Sequence, residues 1–533
     1  MKIDRRKFIA GSAAGAGLLL GGRAGAALGD YSATVKVSSD VLHPLPRTIY
    51  GHFVEHLGKC VKGGIWAEGE RPDLVLGGIR PELIAAVKSI NPSLIRYPGG
   101  CFADGYHWKD GIGPKESRPR RPNLAWGKLG PGLGPEEDNH FGADEFMAFC
   151  AAVGAEPMIT ANVGSGTPEE AADWVEYCNG PESSKWGAER AKNGHPAPYN
   201  VRYWFVGNEI TGWHEIGWLT PAAYAQVFLK FAAAMRQADP TVKLIASGDF
   251  SNDKKRSQTN RIIIEGAGPE IDYLSVHQYV PTMSTLNTFR YQTANLQRTG
   301  SQSIYYDVMG SVTHMEQFLD QVVADARAAS PAKTIPVTFD EWNLWFNFAA
   351  DIYQANYNLR DGIWTARMLS ALNRRAADVP IANIAQLVNC LGIVTSDKRG
   401  TFLTPSALAF KLFTDNAGGE LLGSQVDCPE IPHETMLPAL DCCATRGPNG
   451  LAVFLTNLHA TSAARVKLSL PAAATLTRTV TLHHPNRAQY NSYAEPEAVK
   501  LVTELADGKG AVTDLNLELP PHSVVCLDLP RSG

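Results

Sequence analysis

Tyr203-Trp-Phe-Val-Gly-Asn-Glu209 is a short apolar run that ends on a carboxylate. Its first four residues are aromatic or β-branched, the make-up of a strand buried on both faces, and the glycine marks where that strand stops. Val337-Thr-Phe-Asp-Glu-Trp-Asn343 repeats the pattern, with apolar residues leading into Asp340 and Glu341. A glutamate is ordinarily a solvated surface residue. One that closes a buried strand needs another account.

Working outward from these two runs, strand-like segments recur at Thr48–Phe53, Leu94–Tyr97, Glu156–Thr160, Lys243–Ala246, Tyr273–Val276 and Asn383–Val388, which with Tyr203–Val206 and Ile335–Phe339 makes eight. Stretches such as Pro81–Lys88, Ala143–Cys150 and Ala222–Phe231 lie between them with helical periodicity, some opened by a proline or an acidic first turn. Eight strand–helix alternations favour a closed parallel (β/α)8 TIM barrel, an α/β fold, over an open doubly wound sheet. From about Thr401 the helical signal fades. Leu451–Asn457, Ala464–Leu470, Thr477–Leu482 and Ser523–Leu529 alternate with period two between Pro, Gly and Asn turns, the pattern of an antiparallel β-sandwich. The early strand Ser32–Val37 is expected to join that sandwich, so residues 47–400 form the barrel and residues 31–46 plus 401–533 a second, discontinuous domain.

The chain has 533 residues, 44% of them hydrophobic, enough for a large core and more than one domain. Its net charge is −5, and Lys and Arg are scattered, which argues against a nucleic-acid or anionic-membrane surface. A neutral or small ligand is expected. Residues 1–26 read as a twin-arginine export signal: Asp4-Arg5-Arg6-Lys7-Phe8-Ile9 precedes an apolar stretch ending in Ala24-Gly25-Ala26. The run from Ile9 to Leu20 is too short to span a bilayer, so a periplasmic or secreted mature protein without a membrane segment is expected. Nine cysteines show no CxxC or evenly spaced framework, and no disulfide is predicted.

In barrels of this kind the working residues project from the carboxyl ends of the strands. Glu55 follows strand one, Cys101 strand two, Asn208 and Glu209 strand four, His277 and Tyr279 strand six and Glu341 strand seven, while Gln386 lies in strand eight. Two strand-end glutamates suit glycosidic bond cleavage, in which one carboxylic acid protonates the leaving oxygen and a second carboxylate works on the opposite face of the sugar. His52, His56, His107 and His277 come from separate strand ends without HExxH or paired Cys ligands. They are read as partners for sugar hydroxyls, and no metal is expected. With no GxGxxG or P-loop present, no nucleotide cofactor is expected either. Gly63-Gly64 and Gly99-Gly100 read as tight turns at the site rim.

Ile49-Tyr-Gly-His-Phe-Val-Glu-His-Leu-Gly58, Arg96-Tyr-Pro-Gly-Gly-Cys-Phe-Ala-Asp104, Gly207-Asn-Glu209, Ser275-Val-His-Gln-Tyr279, Asp340-Glu-Trp-Asn343, Ala382-Asn-Ile-Ala-Gln-Leu-Val-Asn389 and Thr404-Pro405 together resemble glycoside hydrolase family 51, mainly α-L-arabinofuranosidases. The resemblance covers the barrel in the family's order. It implies a retaining hydrolysis with Glu209 as acid/base and Glu341 as nucleophile. It further implies Tyr279 as hydrogen-bond donor to Glu341, Glu55 and Asn208 as hydroxyl partners, Cys101 beside the ring, His277 and Gln386 lining the site, and Trp345 as an apolar wall. Trp66 and Trp108 are candidates for sugar stacking, although a tryptophan is as readily a core residue. An ionised Glu341 is expected to raise the pKa of Glu209 and keep it a proton donor. Homo-oligomers are common in the family.

The pattern breaks after the acid/base glutamate. Where the family usually continues Asn-Trp-Gly-Cys-Gly-Gly, this chain reads Ile210-Thr-Gly-Trp-His-Glu215, on the leaving-group side. Trp213 and His214 either form a new leaving-group subsite or cap a reshaped loop. The Pro-, Gly- and Arg-rich stretch from Pro114 to His140 is expected to be a rim loop that narrows the entrance. The leading expectation is exo-acting removal of terminal arabinofuranose from plant-type polysaccharide or oligosaccharide. The alternatives are an endo-acting β-glucanase or xylanase on the same barrel and a non-catalytic carbohydrate-binding protein.

Overall fold

In the computed structural model, which describes residues 30–127, 134–249, 254–281, 300–346, 357–433, 436–506 and 510–530, eight strands close into a barrel. In chain order they are Gly51–Phe53, Leu94–Tyr97, Glu156–Ala161, Tyr203–Val206, Lys243–Ser247, Tyr273–Pro281, Val337–Trp345 and Ile381–Ala385, here strands one to eight. Each pairs in parallel with the next, and strand eight returns to strand one with Asn383 opposite Gly51. Leu94, Met158, Tyr203, Phe205, Ile245 and Ile381 come from five of these strands and pack together as a separate cluster. They fill the barrel as side-chain layers do in this architecture.

The crossover helices start where the sequence supplies a cap. Thr167, Thr220 and Thr404 each accept a hydrogen bond from a first-turn amide and are each followed by proline at the first helical position. That pairing satisfies an orphan N–H and presets φ for the helix. The Thr404 cap also shows why the helical signal does not end at Thr401. Pro405–Asn416 is a twelve-residue helix that packs against Leu359–Arg375, so helical packing around the barrel continues beyond residue 400.

Strand boundaries differ from expectation in ways that matter for the site. Arg47–Ile49 forms a 3-10 turn, so strand one begins at Gly51 and not at Thr48. Strands six and seven run on to Pro281 and Trp345, which puts His277, Tyr279 and Glu341 within them instead of after them. Strand eight ends at Ala385, and Gln386 sits one residue past it.

The second unit is a nine-stranded sheet. Tyr31–Pro44 lies inside it, antiparallel to Glu420–Asp427 and parallel to Ala464–Ala474, so the sheet is antiparallel except at that one seam. One face encloses a core of Val35, Val37, Leu455, Leu468 and Leu527 among others. The other packs on the barrel's last helices, where Phe413 stacks on Phe454 with centroids 4.1 Å apart and Arg374 pairs with Asp441 at 3.0 Å. All nine cysteines are free thiols. Among the described residues no helix is long and apolar enough to cross a membrane, and the twin-arginine segment, residues 1–26, lies outside them.

Candidate active site

Glu341 and Glu209 meet over the carboxyl end of the barrel, both buried. A carboxylate oxygen of each lies within 4.8 Å of the other and of a His277 ring nitrogen. Glu341 is held from two sides. Arg96 Nη1 donates to Oε1 at 2.7 Å and the Tyr279 hydroxyl donates to Oε2 at 2.7 Å. Arg96 is fully buried, with its guanidinium over the rings of Phe53 and Phe205. Its remaining donors reach Asn208 Oδ1 at 2.7 Å and Thr160 Oγ1 at 3.1 Å, and Asp340 Oδ2 lies 3.2 Å from Nη1. One rigid fork therefore sets the nucleophile candidate and Asn208 in a single geometry. Burial and the charge of Glu209 push the Glu341 carboxyl above its ordinary range, against the pull of His277, Arg96 and Tyr279.

Glu209 sits on a left-handed turn, φ +40°, a strained conformation for a side chain other than glycine. The turn is held by Asp104, whose Oδ2 accepts from Asn208 N at 2.9 Å while Oδ1 accepts from the amides of Val163 and Gly164. Two imidazoles face the Glu209 carboxylate: His277 Nδ1 at 2.8 Å from Oε1 and His214 Nε2 at 3.1 Å from Oε2. Burial raises the Glu209 pKa, but these two hydrogen bonds outweigh it and hold the group at about 2. The expected rise from Glu341 is thus overturned. Two cationic donors in contact exceed one anion beside the site, and the proton that the sequence assigns to Glu209 rests on the histidines. Burial depresses both imidazoles, yet the surrounding carboxylates carry each to about 10.

The remaining candidates surround the pair. Glu55 Oε1 accepts from the amides of Gly100 and Phe102, each at 3.1 Å, and from Trp126 Nε1 at 3.0 Å, while Gln386 Nε2 donates to Oε2 at 3.2 Å. Burial and Glu341 push Glu55 up to about 8. Trp345 stands edge-on to Tyr279 with centroids 5.1 Å apart. Cys101 Sγ lies within 4.8 Å of ligand atoms of Glu209, His214 and Glu215. Burial and those carboxylates push its thiol far above the ordinary range, so it is no thiolate nucleophile. Gly99 and Gly100 are not positive-φ turns. They are points of close approach, since a Cβ at Gly100 would stand 2.9 Å from Glu341 Oε1 and one at Gly99 2.6 Å from Glu55 Cγ.

A family model described as "Alpha-L-arabinofuranosidase 1 domain" matches residues 86–298, and one described as "Alpha-L-arabinofuranosidase C-terminal domain" matches residues 340–523. The "Intracellular exo-alpha-L-arabinofuranosidase" of Bacteroides ovatus is 32% identical over 514 residues, covering 93% of this chain and 96% of that protein. The arabinose complex of the Thermotoga maritima α-L-arabinofuranosidase superposes with a TM-score of 0.82 at 33% identity, covering 93% of this chain and 99% of that one. The GH51 arabinofuranosidase of Xanthomonas axonopodis pv. citri gives 0.84 at 30%, covering 94% and 100%. The chain belongs to glycoside hydrolase family 51. As a member of that family it is a glycoside hydrolase, and its closed barrel and C-terminal sheet match those of the solved family 51 structures.

Within this family 51 site several sequence readings change. Of the four strand-end histidines only His277 joins the carboxylates. His52 is buried against Phe410, His56 is tied to Glu137 at 2.9 Å, and His107 pairs with Glu170 near the surface. The first two are buried among aromatic side chains, His56 between Tyr97, Phe102 and Tyr106. Trp66 and Trp108 are core residues, packed on Phe141 and Trp174. Two groups of side chains have the make-up of metal ligands: Cys101, Glu209, His214 and Glu215, and Glu209, His277 and Glu341. In each group a histidine is hydrogen-bonded to Glu209, His214 at 3.1 Å in one and His277 at 2.8 Å in the other.

Sequence reasoning missed Arg96, Asp104, Trp126 and Glu215. A lone arginine inside the apolar strand Leu94-Ile-Arg-Tyr97 was the available signal for the first. Trp126 comes from the stretch between Pro114 and His140, where Arg121–Pro122 pairs with Glu136–Glu137, so that loop contributes to the site directly. Glu215 emerges only in three dimensions, accepting from Asn208 Nδ2 at 3.0 Å.

Proposed function

We propose that the chain is an exo-acting α-L-arabinofuranosidase that releases terminal arabinofuranose from plant-type polysaccharide or oligosaccharide by double displacement. Glu341 attacks the anomeric carbon, and Glu209 delivers a proton to the leaving oxygen and then takes one from water. The observation that carries this reading is the short separation of the two buried carboxylates. Retaining enzymes hold them about 5–5.5 Å apart, whereas an inverting site needs about 6.5–9.5 Å to admit a water. Asn208, fixed between Arg96 and Glu215, is suited to the sugar 2-hydroxyl, a bond that strengthens as positive charge develops on the ring. Glu55, Gln386, Cys101, His277 and Trp345 complete the sugar pocket. Proton NMR of the first-formed arabinose tests the reading: retained configuration supports it, and inversion ends it. Glu341→Ala should abolish turnover, and azide should restore some rate to Glu209→Ala with a good leaving group.

Export by the twin-arginine route is proposed from Asp4–Ile9 and the apolar stretch that follows. Fractionation of wild type against Arg5→Lys/Arg6→Lys checks it, export being lost in the variant. A homo-oligomeric assembly is proposed on the family resemblance alone, and light scattering after size exclusion decides it.

A further inference from the structure

The segment after Glu209 departs from the family's usual sequence, and the structure shows what stands there. His214 folds back over its own loop until Nε2 is 3.1 Å from Glu209 Oε2 and 3.4 Å from Glu215 Oε1. Gly212 makes room for this, because a Cβ there would lie 2.6 Å from His214 Cε1. Glu215 is a buried carboxylate fixed by Asn208 Nδ2. The imidazole thus bridges the acid/base candidate and a second carboxylate that Asn208 holds still. We propose that His214, bridging Glu209 and Glu215, is a positioning residue that stores the proton Glu209 passes to the leaving group.

The step balances without any further reactant. In glycosylation the His214 Nε2–H bond breaks, a proton crosses the Glu209 carboxyl to the glycosidic oxygen, and the C–O bond to the leaving group breaks as Glu341 bonds the anomeric carbon. His214 is then neutral and Glu209 is again a carboxylate. In the second half Glu209 takes a proton from the attacking water, the C–O bond to Glu341 breaks, and the proton returns to His214. His277, whose other nitrogen lies 3.1 Å from Asp340 Oδ2, is the second imidazole on Glu209. Among the groups facing His214 are Glu209 at the end of strand four, Glu215 on its own loop and the Cys101 thiol after strand two. His277 and Glu341 lie beyond Glu209. The anionic surroundings agree with the raised pKa of the imidazole, about 10.

This inference rests on the reading given under Proposed function, and the experiment separates the two. Hydrolysis of aryl α-L-arabinofuranosides with retained configuration by the wild-type enzyme establishes that reading on its own. kcat/KM is then followed against pH for wild type, His214→Gln and Glu215→Gln, with leaving groups of low and high pKa. Glu215→Gln keeps the acceptor for Asn208 and removes only charge, so it serves even if His214→Gln folds poorly. The expected result is a basic limb that moves to lower pH in both variants, by about one unit or more, the effect of one close charge. The rate loss should grow with leaving-group pKa and reach roughly tenfold or more for poor leaving groups, within the range of general-acid catalysis. A basic limb that stays at the wild-type position in both variants, or a loss equal for all leaving groups, overturns the proposal.

Discussion

Tyr279→Phe isolates one hydrogen bond at the reacting centre. The side chain is buried, its ring is braced edge-on by Trp345, and its hydroxyl does one visible thing, donating to Glu341 Oε2 at 2.7 Å. Phenylalanine keeps the ring and deletes that donor, while Arg96 continues to hold Oε1. A hydrogen bond to a charged group contributes about 1.5–3 kcal/mol, and about 1.4 kcal/mol is tenfold in rate. kcat/KM for an aryl arabinofuranoside should therefore fall roughly ten- to hundredfold. The pH profile carries the sign. Tyr279 favours the ionised nucleophile, so its loss raises the Glu341 pKa further and the acidic limb of kcat/KM moves to higher pH. Melting temperature, read in parallel, should stay near wild type. A variant that matched wild type in both rate and acidic limb would refute the assignment of Tyr279 as the donor that seats Glu341.

Other substitutions test neighbouring parts of the argument. Gly100→Ala puts a Cβ 2.9 Å from Glu341 Oε1 and should lower kcat by about tenfold or more, since misplacement of a reacting group by an ångström can cost about 10²; steady-state kinetics at unchanged melting temperature checks this. Trp126→Phe removes the indole donor to Glu55 and should raise KM several times more than it lowers kcat. Phe413→Ala opens a cavity where barrel and sheet meet and should cost roughly 3–5 kcal/mol in urea unfolding. The folded-state pKa of His277 is raised from 6.5 to about 10, so its contribution to stability is complete below 6.5 and is lost as pH climbs to about 10. Melting temperature should fall across that window, and the fall should be smaller in His277→Gln.

Much of this was legible in the chain, and the limits have physical causes. Strands buried on both faces read as apolar runs, so all eight barrel strands could be found, and their final residues pointed to Glu209, Glu341, His277 and Tyr279. The sheet was harder. Glu420–Asp427 alternates only weakly, and a seam between strands far apart in sequence leaves no local trace. Arg96 was hidden because an arginine within a strand shows no partner until the barrel closes. The state of Glu209 was misjudged for the same reason. Its pKa depends on His214 and His277, which approach from a loop of unfamiliar sequence and from a strand 68 residues away, and only their convergence decides the sign.

The two glutamates differ less in their own surroundings than in the kind of cation that serves each. Glu341 is held by Arg96, whose guanidinium does not release its proton in a protein. Whatever the neighbouring charges do, this partner can only favour the carboxylate, the form a nucleophile needs. Glu209 is held by imidazoles, whose proton can leave near neutrality once their anionic support is altered. A substrate that brings a leaving oxygen to Glu209 offers that proton a destination, and the covalent intermediate removes the negative charge of Glu341 that helps to keep His277 protonated. Exchanging the two sets of partners would leave a nucleophile that competes for protons beside an acid with no proton to give. The direction of reaction proposed for the site, attack from strand seven and protonation from strand four, thus accords with the placement of one permanent cation and two titratable ones.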